Sequence, residues 1–141
     1  MTDLPQLSDF PNQTYDKLRY GDTDRQGHVN NAVFATFLET GRVALLEGSA
    51  RGLRDPNFSF VIARLELDYR GEVFWPGTVE IGSGVKSLGK SSVSFAQAVY
   101  QAGSCVATAV TVIVQVDNTT HRSAPLSDEL RAYLTGVMVK A

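Results

Sequence analysis

The run Tyr20–Arg42, YGDTDRQGHVNNAVFATFLETGR, sets an acidic, glycine-broken loop directly against the start of a long apolar-faced helix. From Asn30 or Asn31 to about Glu47 the apolar residues Phe34, Phe37, Leu38 and Leu45 and the small Gly41 recur at helical spacing. Val33, Val43, Ala44 and Leu46 broaden that stripe to more than half the circumference, so the helix needs covering on most sides. Asn30 is expected to cap it through its side-chain oxygen, and Gly48 to stop it. A glycine inside a helix costs about 1 kcal/mol relative to alanine, so Gly41 implies a sheet or a second helix pressed close to the backbone. At 1.5 Å per residue the helix is about 27 Å long, enough to cross a whole sheet.

Working outward, Thr14–Tyr20 reads as a first strand and Gly21–Val29 as a loop. Ser49–Ser59, with RGLRDPN at its centre, is turn-rich. Val61, Ala63, Leu65, Leu67 and Tyr69 then alternate with Ile62, Arg64, Glu66, Asp68 and Arg70, a two-residue period that predicts a strand with one buried face. Trp75–Gly77 forms a turn. Thr78–Leu88 and Ser91–Gln101 are alternating runs joined by a hairpin at Gly89 and Lys90, and a tight turn at Ala102–Ser104 leads into Val106–Val116. There Val106, Val110, Val112, Val114 and Val116 are expected to share one face. Pro125, Ser127, Asp128 and Glu129 open a short capped helix that ends near Gly136. Strand, long helix, then strands joined by hairpins gives an α+β class: one curved antiparallel sheet of about five strands wrapped around the helix. A second copy pairing edge to edge would extend the wrap and remove an exposed edge strand, which predicts at least a dimer.

Composition narrows the functional classes. The chain has 141 residues, 43% hydrophobic and 20% charged, which fits a single domain over 1–141 with residues 1–13 as a loosely held tail. Its 13 basic and 15 acidic residues leave a net charge of −2 and no like-charge run, so nucleic acid is not an expected partner. The N-terminus lacks a basic segment followed by an apolar one, so neither a signal peptide nor a membrane span is expected and the location should be cytoplasmic. Cys105 is the one cysteine and sits among alternating β-formers, where an inert buried thiol is expected. The two histidines have no Cys or His partner at ligand spacing, so no metal and no cofactor is expected.

The opening loop carries the chemistry. A helix start leaves backbone N–H groups unpaired and partially positive, able to hold a carbonyl oxygen as it becomes negative. A carboxylate a few residues upstream can attack that carbonyl or activate water to do so. Asp24 and Asp22 are the candidate carboxylates. Asp22 is expected to brace loop N–H groups, and Asp24 has the competing reading of an Asx turn. His28 could orient substrate, donate a proton or simply brace the loop. Glu39 and Arg42, three apart, are expected to form an intrahelical ion pair.

The loop GDTDRQGHVNN followed by a helix carrying FLETGR resembles the 4-hydroxybenzoyl-CoA thioesterase group of hot-dog-fold acyl-CoA thioesterases. That resemblance implies a hot-dog fold and hydrolysis of an acyl-CoA thioester to free acid and CoA. Asp24 would be general base or nucleophile, the backbone N–H of Asn31 would polarise the carbonyl, and Gly27 and His28 would complete the loop. It also implies an acyl tunnel at a subunit interface, within a homodimer or homotetramer. Phe34, core by default together with Phe37 and Phe60, could line that tunnel. It stands where relatives often carry tyrosine, so no hydroxyl contact is expected from it.

Lys86, Lys90, Ser91 and Ser92 form a small cationic and hydroxyl patch suited to a CoA phosphate tail, with Arg64 and Arg70 as weaker candidates. Glu39 rivals Asp24, because other hot-dog thioesterases place the acid on the central helix. Three functional readings remain open: a thioesterase acting on CoA or on an acyl carrier protein, a non-catalytic hot-dog module that binds an acyl group or acyl carrier protein, and a hydratase using Asp24 with His28.

Overall fold

The computed structural model describes residues 4–49 and 55–140. Five strands, β1 (Asn12–Lys17), β2 (Phe58–Tyr69), β3 (Thr78–Leu88), β4 (Ser92–Gln101) and β5 (Ser104–Asp117), form one sheet in the order β1-β3-β4-β5-β2. Every neighbouring pair is antiparallel. The helix α1 (Val33–Glu47) lies across one face, and the short α2 (Asp128–Thr135) follows β5. Ser127 caps α2 by accepting the Leu130 N–H at 3.1 Å, and Gly136 ends it. Of the turn-rich connection expected at Ser49–Ser59, residues 50–54 lie outside the described residues.

Gly41 explains how the helix seats. A Cβ there would stand 2.6 Å from Ile81 Cγ2, 2.6 Å from Ser83 Oγ and 2.7 Å from Gln97 Nε2, so only a bare Cα lets α1 approach β3 and β4. On one side of this contact Phe34, Phe37 and Leu38 pack with Val73, Val79, Ile81 and Val99. On the other, Leu45 and Leu46 pack with Val85, Phe95, Ile113 and Leu134. Between the two apolar clusters runs a buried polar belt of Arg42, Ser83, Gln97 and Thr111.

Sequence expectations change in α1, β2 and β5. First, α1 begins at Val33, with Ala32 as N-cap. Asn30 acts one turn earlier: its Oδ1 accepts the Ala32 N–H at 2.9 Å and its carbonyl accepts the Val33 N–H at 2.9 Å. Second, a bulge between Ile62 and Arg64 resets the alternation of β2. Phe60, Ile62, Leu65, Leu67 and Tyr69 therefore pair with Gln115, Ile113, Thr111, Ala109 and Ala107 on the helix side, while Val61 joins Arg64 and Glu66 outside. Third, the ladder shift at Val99/Tyr100 carries Val106 into the helix-side core. Val110, Val112, Val114 and Val116 stay half-buried on the outer face.

The stretch before β1, expected as a loose tail, packs on that outer face. Phe10 sits over Gly82 and against Ala98 and Tyr100, and the Tyr100 hydroxyl donates to the Pro5 carbonyl. Cys105 lies beside this cluster, half-buried, and burial pushes its thiol above the ordinary value, which favours the protonated form. No helix among the described residues is long and apolar enough to cross a membrane.

Candidate active site

Between β1 and α1 the chain makes a small hairpin. Leu18 donates to Gly77 O at 2.9 Å, and Tyr20–Asp22 form a single 3-10 turn. Thr23 and Val29 then bridge, as do His28 and Phe74, while the Val29 N–H donates to Val73 O at 2.8 Å. The loop is thus stitched to the segment joining β2 and β3. Gly27 sits at φ +86° in the left-handed region, and its N–H donates to Asp24 O at 3.1 Å; a side chain there would strain the turn.

Asp22 is the structural carboxylate of the pair. It is buried, and its two oxygens accept the Arg19 backbone N–H at 2.9 Å and the guanidinium at 2.9 and 3.2 Å. Burial by itself would raise its pKa, but the hydrogen bonds and charge of Arg19 outweigh it and hold Asp22 below the ordinary carboxylate value. Its carbonyl accepts the Asn30 N–H at 2.8 Å, which fastens the loop to the helix start.

Asp24 is half-buried at the tip of the hairpin. Its Oδ1 accepts the Gln26 N–H at 2.8 Å and the His28 N–H at 3.2 Å. The Asx-turn geometry is therefore present, and it uses one oxygen; among the described residues Oδ2 has no hydrogen-bond partner. The backbone N–H of Asn31, at the helix start, likewise has none among the described residues. Its carbonyl is pinned, accepting the Tyr69 hydroxyl at 2.9 Å. Arranged this way, the segment offers a carboxylate oxygen and a helix-start donor on one short, braced stretch of chain.

The remaining candidates separate. His28 is half-buried, its Nε2 lies 3.4 Å from Glu72 Oε1, and its ring meets Phe74 edge-on at 5.3 Å. Phe34 is buried in the core, edge-on to Tyr69 at 5.1 Å. Lys86, Lys90 and Ser91 stand at the opposite end of β3 from the Asp24 loop, about 33 Å away at 3.3 Å per strand residue, so one chain does not bring them together. Arg64 and Arg70 are exposed on β2 and just beyond it; the first contacts Glu66, and the second reaches Thr108 and Asp68. Glu39 and Arg42 form no ion pair. Arg42 turns inward instead, because Gly41 brings its turn of the helix against the belt, where Nη1 donates to Thr111 Oγ1 at 3.3 Å and Gln97 Oε1 at 3.4 Å. Tyr69, Glu72 and Phe74 went unmarked as site residues in the sequence. Only Tyr69 carried a signal, as the last aromatic of an alternating run that ends level with the helix start.

A cavity of about 740 Å³ opens along the other half of α1, from Glu39 to Leu46 and on to Ser49 beyond its end, against the Phe58–Ile62 end of β2. None of Asp24, Asn31 or Tyr69 lines it.

Residues 18–134 match the family described as the thioesterase-like superfamily. The chain belongs to that superfamily. Among relatives, it is 31% identical over 126 residues to the long-chain acyl-CoA thioesterase FadM of Escherichia coli, covering 86% of this chain and 96% of FadM. The crystal structure of the PA5185 protein of Pseudomonas aeruginosa superposes with a TM-score of 0.89 at 26% identity, covering 97% and 98% of the two chains. A Thermus thermophilus thioesterase solved with coenzyme A and zinc gives a TM-score of 0.78 at 32% identity, covering 89% and 98%. As a member of the thioesterase-like superfamily, the chain is a thioester hydrolase with the hot-dog arrangement of a curved sheet around one helix. The match is to the broad superfamily; it does not reach the narrower 4-hydroxybenzoyl-CoA group. Among the described residues no cluster of three or more His, Cys, Asp or Glu side chains is placed to hold a metal.

Proposed function

We propose that this protein hydrolyses acyl-CoA thioesters, with Asp24 as the reacting carboxylate and the Asn31 N–H as the oxyanion donor. The observation that carries the reading is the division of labour at Asp24: Oδ1 is held by the Gln26 and His28 N–H groups, leaving Oδ2 for the reaction. A thioester carbonyl is electrophilic and thiolate leaves readily, so one carboxylate and one fixed donor make a sufficient apparatus. Acting as base, Asp24 takes a proton from water as the water oxygen bonds to the carbonyl carbon. The carbonyl oxygen gains charge at the Asn31 N–H, and collapse breaks the C–S bond and releases the thiolate, which takes up the proton. Acting as nucleophile, Asp24 Oδ2 bonds to the carbonyl carbon and the C–S bond breaks to release the thiolate; water then cleaves the mixed anhydride to the free acid and the regenerated carboxylate, and the thiolate takes up the proton set free. A fixed oxyanion donor contributes about 3 kcal/mol in such steps. Gly27 sets the turn, His28 and Glu72 brace it, and Tyr69 holds the Asn31 peptide.

The names of two relatives support CoA as the thiol: FadM is a long-chain acyl-CoA thioesterase, and the Thermus enzyme was solved with coenzyme A. The second edge of the sheet supports a homodimer. β2 is 12 residues long, unpaired on its outer side, and exposes Val61, Ile62, Leu65 and Tyr69, a pattern that invites strand pairing. Two copies joined antiparallel about a two-fold place Phe58 of one opposite Tyr69 of the other. Each cavity mouth then faces the partner's Asn31 and Asp24, and the partner's Lys86 and Lys90 hairpin lies at the same end as this chain's Asp24 loop, where a CoA phosphate tail could reach it.

Thiol release from short, long and aromatic acyl-CoAs, alongside an acyl carrier protein thioester, tests the activity. Turnover of at least one acyl-CoA supports the proposal. Binding without release favours the module reading, and turnover of the carrier-protein thioester alone moves the substrate to that carrier.

A further inference from the structure

Arg42 occupies an unusual position for a cation. It is 8% exposed, on the inner wall of the 740 Å³ cavity; among the described residues no carboxylate lies within ion-pair distance of it, and the Glu39 charge reaches it only from further off. A guanidinium has five N–H donors. Here Nη1 alone is engaged, in two bonds of 3.3 and 3.4 Å to neutral side chains, both longer than a normal bond of this type. Nε and Nη2 have no hydrogen-bond partner among the described residues. Neither nitrogen is a buried unsatisfied group, so each keeps access to the cavity and can donate to an occupant.

The rest of the lining restricts the occupant. The walls are apolar, with Val43, Leu46, Phe60, Ile62 and Ile113, and suit an alkyl chain. Glu39, Asp55 and Glu129 also line the cavity, and among the described residues this acidic excess disfavours an anionic tail. What remains is a neutral oxygen borne on an aliphatic chain. The α1 lining from Glu39 to Leu46 measures about 10 Å, on the scale of a medium chain.

We infer that the cavity selects acyl chains carrying a neutral oxygen, hydroxyl or ketone, at their far end, and that Arg42 is the specificity-determining residue that donates to it. This rests on the acyl-CoA thioesterase reading above, with the thioester held at the partner's Asn31. A site built to donate a hydrogen bond rejects the analogue that lacks the acceptor, because the donor, cut off from water by the bound chain, is then left unmet.

The test compares kcat/KM for decanoyl-CoA and omega-hydroxydecanoyl-CoA in the wild type and in Arg42→Met. The wild type should prefer the hydroxylated chain by at least about tenfold, the scale of one hydrogen bond to a charged donor, and in Arg42→Met the ratio should fall to near one. A wild-type ratio near or below one overturns the assignment, whether or not the variant folds, and so does a preference that survives in Arg42→Met. If no acyl-CoA releases thiol, the thioesterase reading has failed separately. Calorimetric binding of decanoate and omega-hydroxydecanoate then decides the cavity assignment: tighter, Arg42-dependent binding of the hydroxy acid supports it, and equal binding overturns it.

Discussion

Replacing Gly41 by alanine should destabilise the protein, against the usual direction for a helix interior. Alanine gains about 1 kcal/mol of helix propensity over glycine. The added methyl, however, would lie 2.6 Å from Ile81 Cγ2 and Ser83 Oγ and 2.7 Å from Gln97 Nε2, about 1 Å inside ordinary contact. Overpacking of this kind costs about 1–3 kcal/mol. Gln97 cannot simply swing aside, because its Nε2 donates to Leu38 O and Ser83 Oγ at 2.9 Å each, and each bond given up costs about 1 kcal/mol more. The net is a loss of about 2–4 kcal/mol, or roughly 6–12 °C in Tm for a chain of this length. Urea unfolding followed by circular dichroism measures it, with Gly21→Ala as control, since nothing stands within 4 Å of a Cβ at Gly21. A Gly41→Ala protein as stable as the wild type would refute the close seating of α1 on β3 and β4.

Tyr69→Phe removes the hydroxyl that pins the Asn31 carbonyl; kcat should fall about tenfold with folding intact, and an unchanged kcat would show that the helix start needs no such support. Asp22 has its pKa lowered by Arg19, so its stabilising contribution is complete above the unfolded carboxylate value of about 3.9 and is lost as pH falls through the lower folded value. The stability gap between wild type and Asp22→Asn should therefore narrow on acidification from about pH 5 to about pH 2, and a gap independent of pH would contradict that linkage. On the proposed dimer, Ile62→Lys places a charge on the exposed stretch of β2 and should halve the mass measured by light scattering; an unchanged mass would move the interface elsewhere.

The parts of the fold that were legible in the sequence are those governed by local chemistry. The helix stripe, the glycine that seats it, the β3–β4 and β4–β5 turns and the Ser127 cap are each specified by residues that stand next to one another. The errors lie where a tertiary partner decides. No local signal marks the bulge at Ile62/Arg64; the alternation of β2 reads equally well without it, and the register of β5 shows where it falls. Arg42 sits at ion-pair spacing from Glu39, but the close approach at Gly41 draws it into a buried belt assembled from β4 and β5. At the site, the loop and the helix start were readable because they are contiguous. Tyr69 and Glu72 come from 38 or more residues after Asn31 and meet the loop only through the sheet. The Lys86–Lys90 patch shows the converse, plausible chemistry that the topology puts at the far end of its own chain.

The central claim is that Asp24 performs the chemistry, and the most direct test is kcat for thiol release by Asp24→Asn on the best acyl-CoA of the panel. The Asn side chain keeps an oxygen to accept the Gln26 and His28 N–H groups, so the loop should hold while the base or nucleophile is lost. The account predicts a fall of about a thousandfold, within the range for loss of a general base, with Tm little changed. Activity within tenfold of the wild type would contradict it and transfer the role to another carboxylate, with Glu39 the next to examine.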